Sequence, residues 1–226
     1  MKTAKRILFI ALALVLAVLV AAAAIAGNAL FQVSRRTKAL RQELSPLMIT
    51  CPESVSVSPV VPVTQQISCG YAVLEMVGTW AGVPVTEQGL YDAYGEVVTS
   101  TASGFLRELN RQLPGYEARM EAWLPDREYL QAIYDSLEAG YPVPIQWAAL
   151  LEDCWTLHYS LVTAMDLPGN SITVLNPYGY EEILTPEELL ERTRFDAYQD
   201  MPLWMRLAFG FDVFQKNTLF LMTESG

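Results

Sequence analysis

Histidine occurs once in this chain, at His158, and cysteine three times, at Cys51, Cys69 and Cys154. One histidine and scattered cysteines provide no metal-ligand spacing, so no metal site is implied. Internal repeats are missing, and no low-complexity tract occurs beyond an apolar run near the start. Positive charge is scarce as well. The first 26 residues hold three of the 15 basic residues and no acid, which leaves 12 Lys+Arg against 25 Asp+Glu in the remainder, a net charge of −13. A body that acidic argues against nucleic acid as a partner. It also disfavours adhesion to anionic lipid, apart from the short basic stretch Arg35, Arg36, Lys38 and Arg41.

What is present begins with MKTAKR, followed at residues 7–26 by the uncharged run ILFIALALVLAVLVAAAAIA. Twenty apolar residues can span a bilayer as a helix, and the run exceeds the apolar part of a cleaved signal peptide, about 7–15 residues. Ala24-Ile25-Ala26 nevertheless has the small-x-small form of a cleavage site. Residues 1–26 are therefore expected to be a signal anchor, or a signal peptide cut after Ala26. The body then lies outside the cytoplasm, membrane-anchored in the first case and secreted in the second. Residues 27–59 read as stalk and linker: a helical or loose segment over 28–45, then the proline-rich, extended stretch 46–64. Residues 60–226 form one domain. An odd cysteine count in an exported protein leaves one thiol over, and parity pairs Cys51 with Cys154 if Cys69 is the working thiol.

Within the domain, helices come first. Cys69 opens a stretch whose apolar residues Ala72, Val73, Met76, Val77 and Trp80 share one helical face, ending near Gly78 or Gly82 ahead of Pro84. Thr86 and Ser103 are expected to cap the next two helices, and Asp126 to start a third that Gly140 closes. After Gly140 the pattern turns to strands at 141–148, 157–165, 171–176 and 218–222. A helix between them is announced by Thr185-Pro186-Glu187-Glu188, a capping box with proline at its first position. Helices followed by an antiparallel sheet is the α+β layout. The aromatic stretch 194–214 reads as core, or as a lid or partner surface.

A cysteine in the first turn of a helix meets unpaired N–H groups and the helix dipole, which favour the thiolate. It needs a base near neutral pH, and His158 is the one imidazole available. Without Cys69, His158 would read as a structural strand histidine. Asn176, in Asn176-Pro177-Tyr178-Gly179, is placed to orient that imidazole, though Asn-Pro also starts ordinary turns; Asp166 is the reserve. Gln65 or Gln66, with Gln65 preferred, supplies an oxyanion donor beside the N–H of Cys69. Ser68 belongs to the turn. The register sets a condition on this reading. A four-residue loop at Leu167–Asn170 sends His158 and Asn176 to opposite faces of the sheet, so both share a face only with an odd loop or a bulge.

These residues together resemble a known family. SCGYAVLEMV after Val61-Pro62 and the glutamines, Gly140-Tyr141-Pro142-Val143, HYSLVTAMD and SITVLNPYG look like segments of the papain-fold cysteine peptidases related to the bacteriocin-processing, double-glycine-leader peptidases. The likeness covers roughly residues 60–222. It implies a papain-like α+β fold and a peptide or protein substrate. It also implies a catalytic set of Cys69 as nucleophile, His158 as acid/base, Asn176 as orienter and an upstream glutamine, Gln65, at the oxyanion. Two positions depart from the family: Val63 stands six residues before the cysteine, where the glutamine usually lies, and Asn replaces the common Asp at 176. No nucleotide-binding region accompanies the domain in these residues, so leader cleavage during export is not implied. The expected activity is that of an extracellular thiol protease. The alternatives are a related acyl transferase or cell-wall amide hydrolase, and a papain-fold binding module that has lost turnover.

Overall fold

A computed structural model describes residues 2–57, 59–95, 98–151 and 154–226. The chain opens with α1 (Lys2–Leu40), α2 (Leu47–Thr50) and β1 (Ser54–Ser56). Then come α3 (Cys69–Ala81), α4 (Glu87–Tyr94), α5 (Ala102–Gln112), β2 (Tyr116–Glu121) and α6 (Asp126–Glu138). The second half holds β3 (Val143–Leu151), β4 (Cys154–Asp166), β5 (Ser171–Asn176), β6 (Tyr180–Leu184) and α7 (Pro186–Thr193). A 3-10 segment (Asp196–Asp200), α8 (Leu203–Gly210) and β7 (Thr218–Glu224) complete it. The architecture is α+β. Among the described residues one antiparallel sheet runs β2-β7-β3-β4-β5-β6, with β1 paired to β4.

The local signals mostly place these elements. Gly82, at φ 69, closes α3 in the left-handed region a C-terminal glycine tolerates. Thr86 accepts from the Gly89 N–H, and the Thr185–Glu188 capping box forms with Pro186 inside it. One cap differs: Thr101, not Ser103, starts α5, because its hydroxyl accepts from the Gly104 N–H. The edge strands β2 and β6 carry weak burial alternation and were not foreseen.

The sheet is covered on both faces. Trp147, Val162 and Val174 pack with Leu130 and Ile133 of α6 and Leu189 and Leu190 of α7. On the other face Tyr159, Leu161 and Leu175 meet Tyr71, Leu74 and Val77 of α3 and Phe105 of α5, whose ring stacks on Tyr159 at 4.5 Å. A third cluster gathers Val33 of α1 with Phe195, Tyr198, Met205 and Phe209. The aromatic stretch is thus core at those positions, while Trp204 and Phe211 stay exposed.

Residues 27–40 continue α1 as one helix, the only one among the described residues long and apolar enough to cross a membrane, and they pack on the domain through Ala29, Val33 and Leu40. The Cys51–Cys154 disulfide is not made. Cys51 is a free, buried thiol bonded to Gln131 Oε1 at 3.4 Å, three residues before Ser54, which pairs with Asp166 at one end of β4. Cys154 begins that strand at its other end. A rise of about 3.3 Å per residue separates the two ends by roughly 40 Å, whereas a disulfide needs Cα atoms within about 7 Å.

Arg194 ties the packed layers together from a position 1% exposed. It bonds Asp126 of α6 at 2.9 Å, Glu187 of α7 at 2.7 Å and Asp196 at 3.1 Å. Asp126 in turn accepts from the Gln42 N–H just past α1 and from Asn217. Removing one partner of a buried charge network leaves the other uncompensated. Arg194→Ala is expected to lower unfolding stability by about 3–5 kcal/mol, read from urea unfolding of the detergent-solubilised chain.

Candidate active site

Cys69 is the first residue of α3, after Ser68 in extended conformation (φ −150, ψ 131). Gly70 lets the helix start close to its neighbour, since a Cβ there would lie 2.5 Å from Thr99 Oγ1. The loop before it is held by Glu87. That buried carboxylate accepts from the backbone N–H groups of Gln66 (2.7 Å), Ile67 (2.8 Å) and Ser68 (2.6 Å). The thiol differs from the expectation of a helix-lowered pKa. Burial pushes it up, against the pull of N–H groups from Tyr159, Gly70 and Cys69 itself, and the Glu87 charge adds to the rise. Burial therefore favours the neutral thiol at Cys69.

His158 and Asn176 are brought together, 3.0 Å from Nε2 to Oδ1, both buried. The register explains how. Asp166 pairs with Ser171 across the four-residue loop, and Ala164 with Thr173, but Val162 pairs with Val174. Thr163 is the extra residue of a bulge, so Val162, Ser160 and His158 share a face with Val174 and Asn176. The structure contains the bulge that the shared face requires.

The neighbours of Asn176 settle its orientation and the histidine tautomer. Asn176 Nδ2 donates to Glu182 Oε1 at 2.6 Å, and Oδ1 also accepts from the Tyr178 N–H at 3.0 Å. A carboxylate only accepts, so Oδ1 must face the ring and Nε2 must carry the proton. That leaves Nδ1 as the basic atom. Glu182 is paired in turn with Arg192 at 2.8 Å, whose guanidinium lies over Trp147. Burial lowers the His158 pKa; the Asn176 bond and the Glu182 charge oppose this, and Arg192 adds to it. Imidazole and thiol are thus both biased to their neutral forms.

Cys69 lies near the next residue along β4, where the backbone N–H of Tyr159 pulls the thiol pKa down against burial. Tyr178 stacks on the imidazole at 4.6 Å, and its pKa is raised by burial first and then by the Cys69 charge. Among the described residues no hydrogen bond joins the sulfur to the imidazole directly. Gln65 donates its backbone N–H to the Pro177 carbonyl at 2.7 Å, beside the Thr64–Tyr178 bridge, and its side-chain Oε1 is buried with no partner among the described residues. Gln66 faces solvent, its amide on Thr64 O at 3.2 Å. Asp166 is occupied in the hairpin loop, accepting from the Gly169 N–H. A cavity of about 280 Å³ opens beside Asn176, walled by Trp147, Trp155, Tyr178, Tyr180 and Glu182.

Sequence reasoning missed Glu182, Tyr178 and Glu87. Glu182 follows from pairing, because it stands opposite Val174 and so shares a face with Asn176. That signal needs β6, which the pattern did not reveal. Tyr178 lies inside a quoted motif, two residues past Asn176. Nothing local marks Glu87, nineteen residues from the loop segment it holds at Ser68.

As the sole histidine, His158 has one imidazole signal in a proton–carbon correlation spectrum. Its titration midpoint is expected below the ordinary value near 6.5. Asn176→Ala and Glu182→Gln each remove an influence that raises the pKa, so both should move the midpoint further down. An upward shift in either would contradict the arrangement.

No family model matches the sequence, and no curated protein matches it. Among solved structures, the chain is similar to the crystal structure of a double-glycine-motif protease from an AMS/PCAT transporter in complex with the leader peptide, at 18% identity. The TM-score is 0.45, with 76% of this chain and 94% of that chain covered.

Proposed function

We propose that this chain is a cysteine peptidase of papain-like fold, anchored by α1 with its domain outside the cytoplasm, acting on a peptide or protein. One observation carries the reading. A bulge at Thr163 turns His158 onto the face of Asn176, at 3.0 Å, and Cys69 opens α3 near enough to the residue after that histidine for the Tyr159 N–H to act on its thiol.

In this reading Nδ1 of His158 takes the thiol proton as Sγ attacks the carbonyl carbon. The oxyanion falls between the N–H of Cys69 and the side-chain amide of Gln65, which is turned inward where Gln66 is not. The tetrahedral intermediate expels the amine, which receives the proton from His158. Water, deprotonated by the same imidazole, then hydrolyses the thioester and returns the proton to sulfur. Asn176 holds the ring throughout, itself held by Glu182. A stored thiolate–imidazolium pair is not part of this scheme; the proton moves as the substrate is attacked.

A binding module without turnover has one feature in its favour, the thiol pKa that burial raises at Cys69. Turnover separates the two. On a fluorogenic peptide library, Cys69→Ser and His158→Ala should remove cleavage, the latter by about 10²–10⁴-fold or more. Gln65→Ala should cost about 10²–10³-fold in kcat, while Gln66→Ala stays near wild type. Because burial lowers the His158 pKa, the base stays neutral as the pH falls. The acid limb of kcat/KM is therefore expected below about pH 6.5, not above it. No cleavage of any library member by wild type, with peptide binding retained, would establish the module.

A further inference from the structure

We propose that the exposed apolar face of α8, with the turn that follows it, rests on the lipid bilayer that α1 enters. The inference builds on the reading of α1 as a membrane anchor and adds a second point of contact.

The geometry of α1 sets the height. Its apolar run ends at Ala26, and the buried stripe begins there without a spacer: Ala26 is half-buried, and Ala29, Val33 and Leu40 are buried. Gly210 of α8 covers Ala29 so closely that a Cβ on the glycine would lie 2.8 Å from the alanine Cβ. At 1.5 Å per residue, that contact is about 4.5 Å along the helix from the end of the apolar run. The C-terminal end of α8 therefore sits at the level where the hydrocarbon core gives way to headgroups.

The surface of α8 suits that level. At 100° per residue, Leu203, Trp204, Leu207, Ala208 and Phe211 occupy one arc, opposite the buried Met205 and Phe209. Leu203 is 60% exposed, Trp204 63%, Phe211 56% and Val213 47%. Large apolar side chains gathered at one place on a surface mark an interaction site. Two cations in and just past the neighbouring α1 are already paired, Arg36 with Asp212 at 2.8 Å and Arg41 with Asp196 at 2.9 Å, while Arg206 donates to the neutral amide of Gln199 at 2.9 Å. With a body of net charge −13, attraction to anionic headgroups does not supply the binding. Burial of aromatic and aliphatic groups at the interface does, which makes zwitterionic lipid sufficient.

The test uses the full chain in phosphatidylcholine vesicles carrying doxyl groups either near the headgroup or at the chain end. Trp204 is read as the difference in fluorescence between wild type and Trp204→Phe. That difference is expected to lose most of its intensity with the shallow quencher, little with the deep one, and equally at low and high salt. Leu203→Glu combined with Phe211→Glu should restore it, while circular dichroism stays native. Retention of the protein in vesicles washed with alkaline carbonate reports on α1 separately. If the protein is retained but Trp204 is unquenched, the contact is overturned and the anchor reading stands. If it is washed out, both fall. An unquenched, blue-shifted Trp204 in a protein that is dimeric in detergent would give the face to a second copy and overturn the lipid assignment.

Discussion

The bond from His158 Nε2 to Asn176 Oδ1 depends on a single inserted residue. Strand side chains alternate, and a hairpin with a four-residue loop sends these two to opposite faces of the sheet. Thr163, unpaired in the bulge between Val162 and Ala164, restores the shared face. Everything downstream of that bond follows from the same pairing ladder. Asn176 is opposite Tyr180 and Val174 opposite Glu182, so the carboxylate that orients Asn176 arrives from β6 on the correct side. Arg192, one helix later in α7, then balances Glu182.

Burial sets the electrostatics of the site more than any single charge. The helix start and three N–H groups favour a thiolate on Cys69, yet desolvation wins and favours the neutral thiol. The same cost lowers the imidazole. Burial thus biases thiol and imidazole alike toward their neutral forms. Glu87 fits this economy. Its charge is taken up by three N–H groups of residues 66–68 and disfavours the thiolate only as the smallest of the influences on Cys69.

How far the sequence reached depends on the range of the interaction. Caps and stops are local chemistry, so Gly82, Thr86 and the Thr185 box were legible; Ser103 lost to Thr101 because two hydroxyls two residues apart satisfy the same rule. The need for a bulge or odd loop was legible as a condition, since it is arithmetic on a period of two. Its position was not, because an unpaired residue carries no mark in a β-rich run. Parity misled over Cys51, whose partner is the amide of Gln131. Glu182 was hidden for a different reason: an edge strand exposed on one side shows weak alternation, and without β6 nothing sets that carboxylate beside Asn176.

Residues 27–40 illustrate the remaining limit. From sequence they were polar with scattered leucines, and only packing decides between a loose stalk and a docked helix. The structure docks them, through Val33 in the cluster with Phe195 and Phe209 and through Arg36, which pairs with Asp212 and lies 3.8 Å over the Trp123 ring. That cluster also contains Ala148 and half-buried Trp155, which wall the cavity beside Asn176. The C-terminal part of α1 and the cavity wall share one packed cluster, so the same contacts set the orientation of α1 relative to the candidate site.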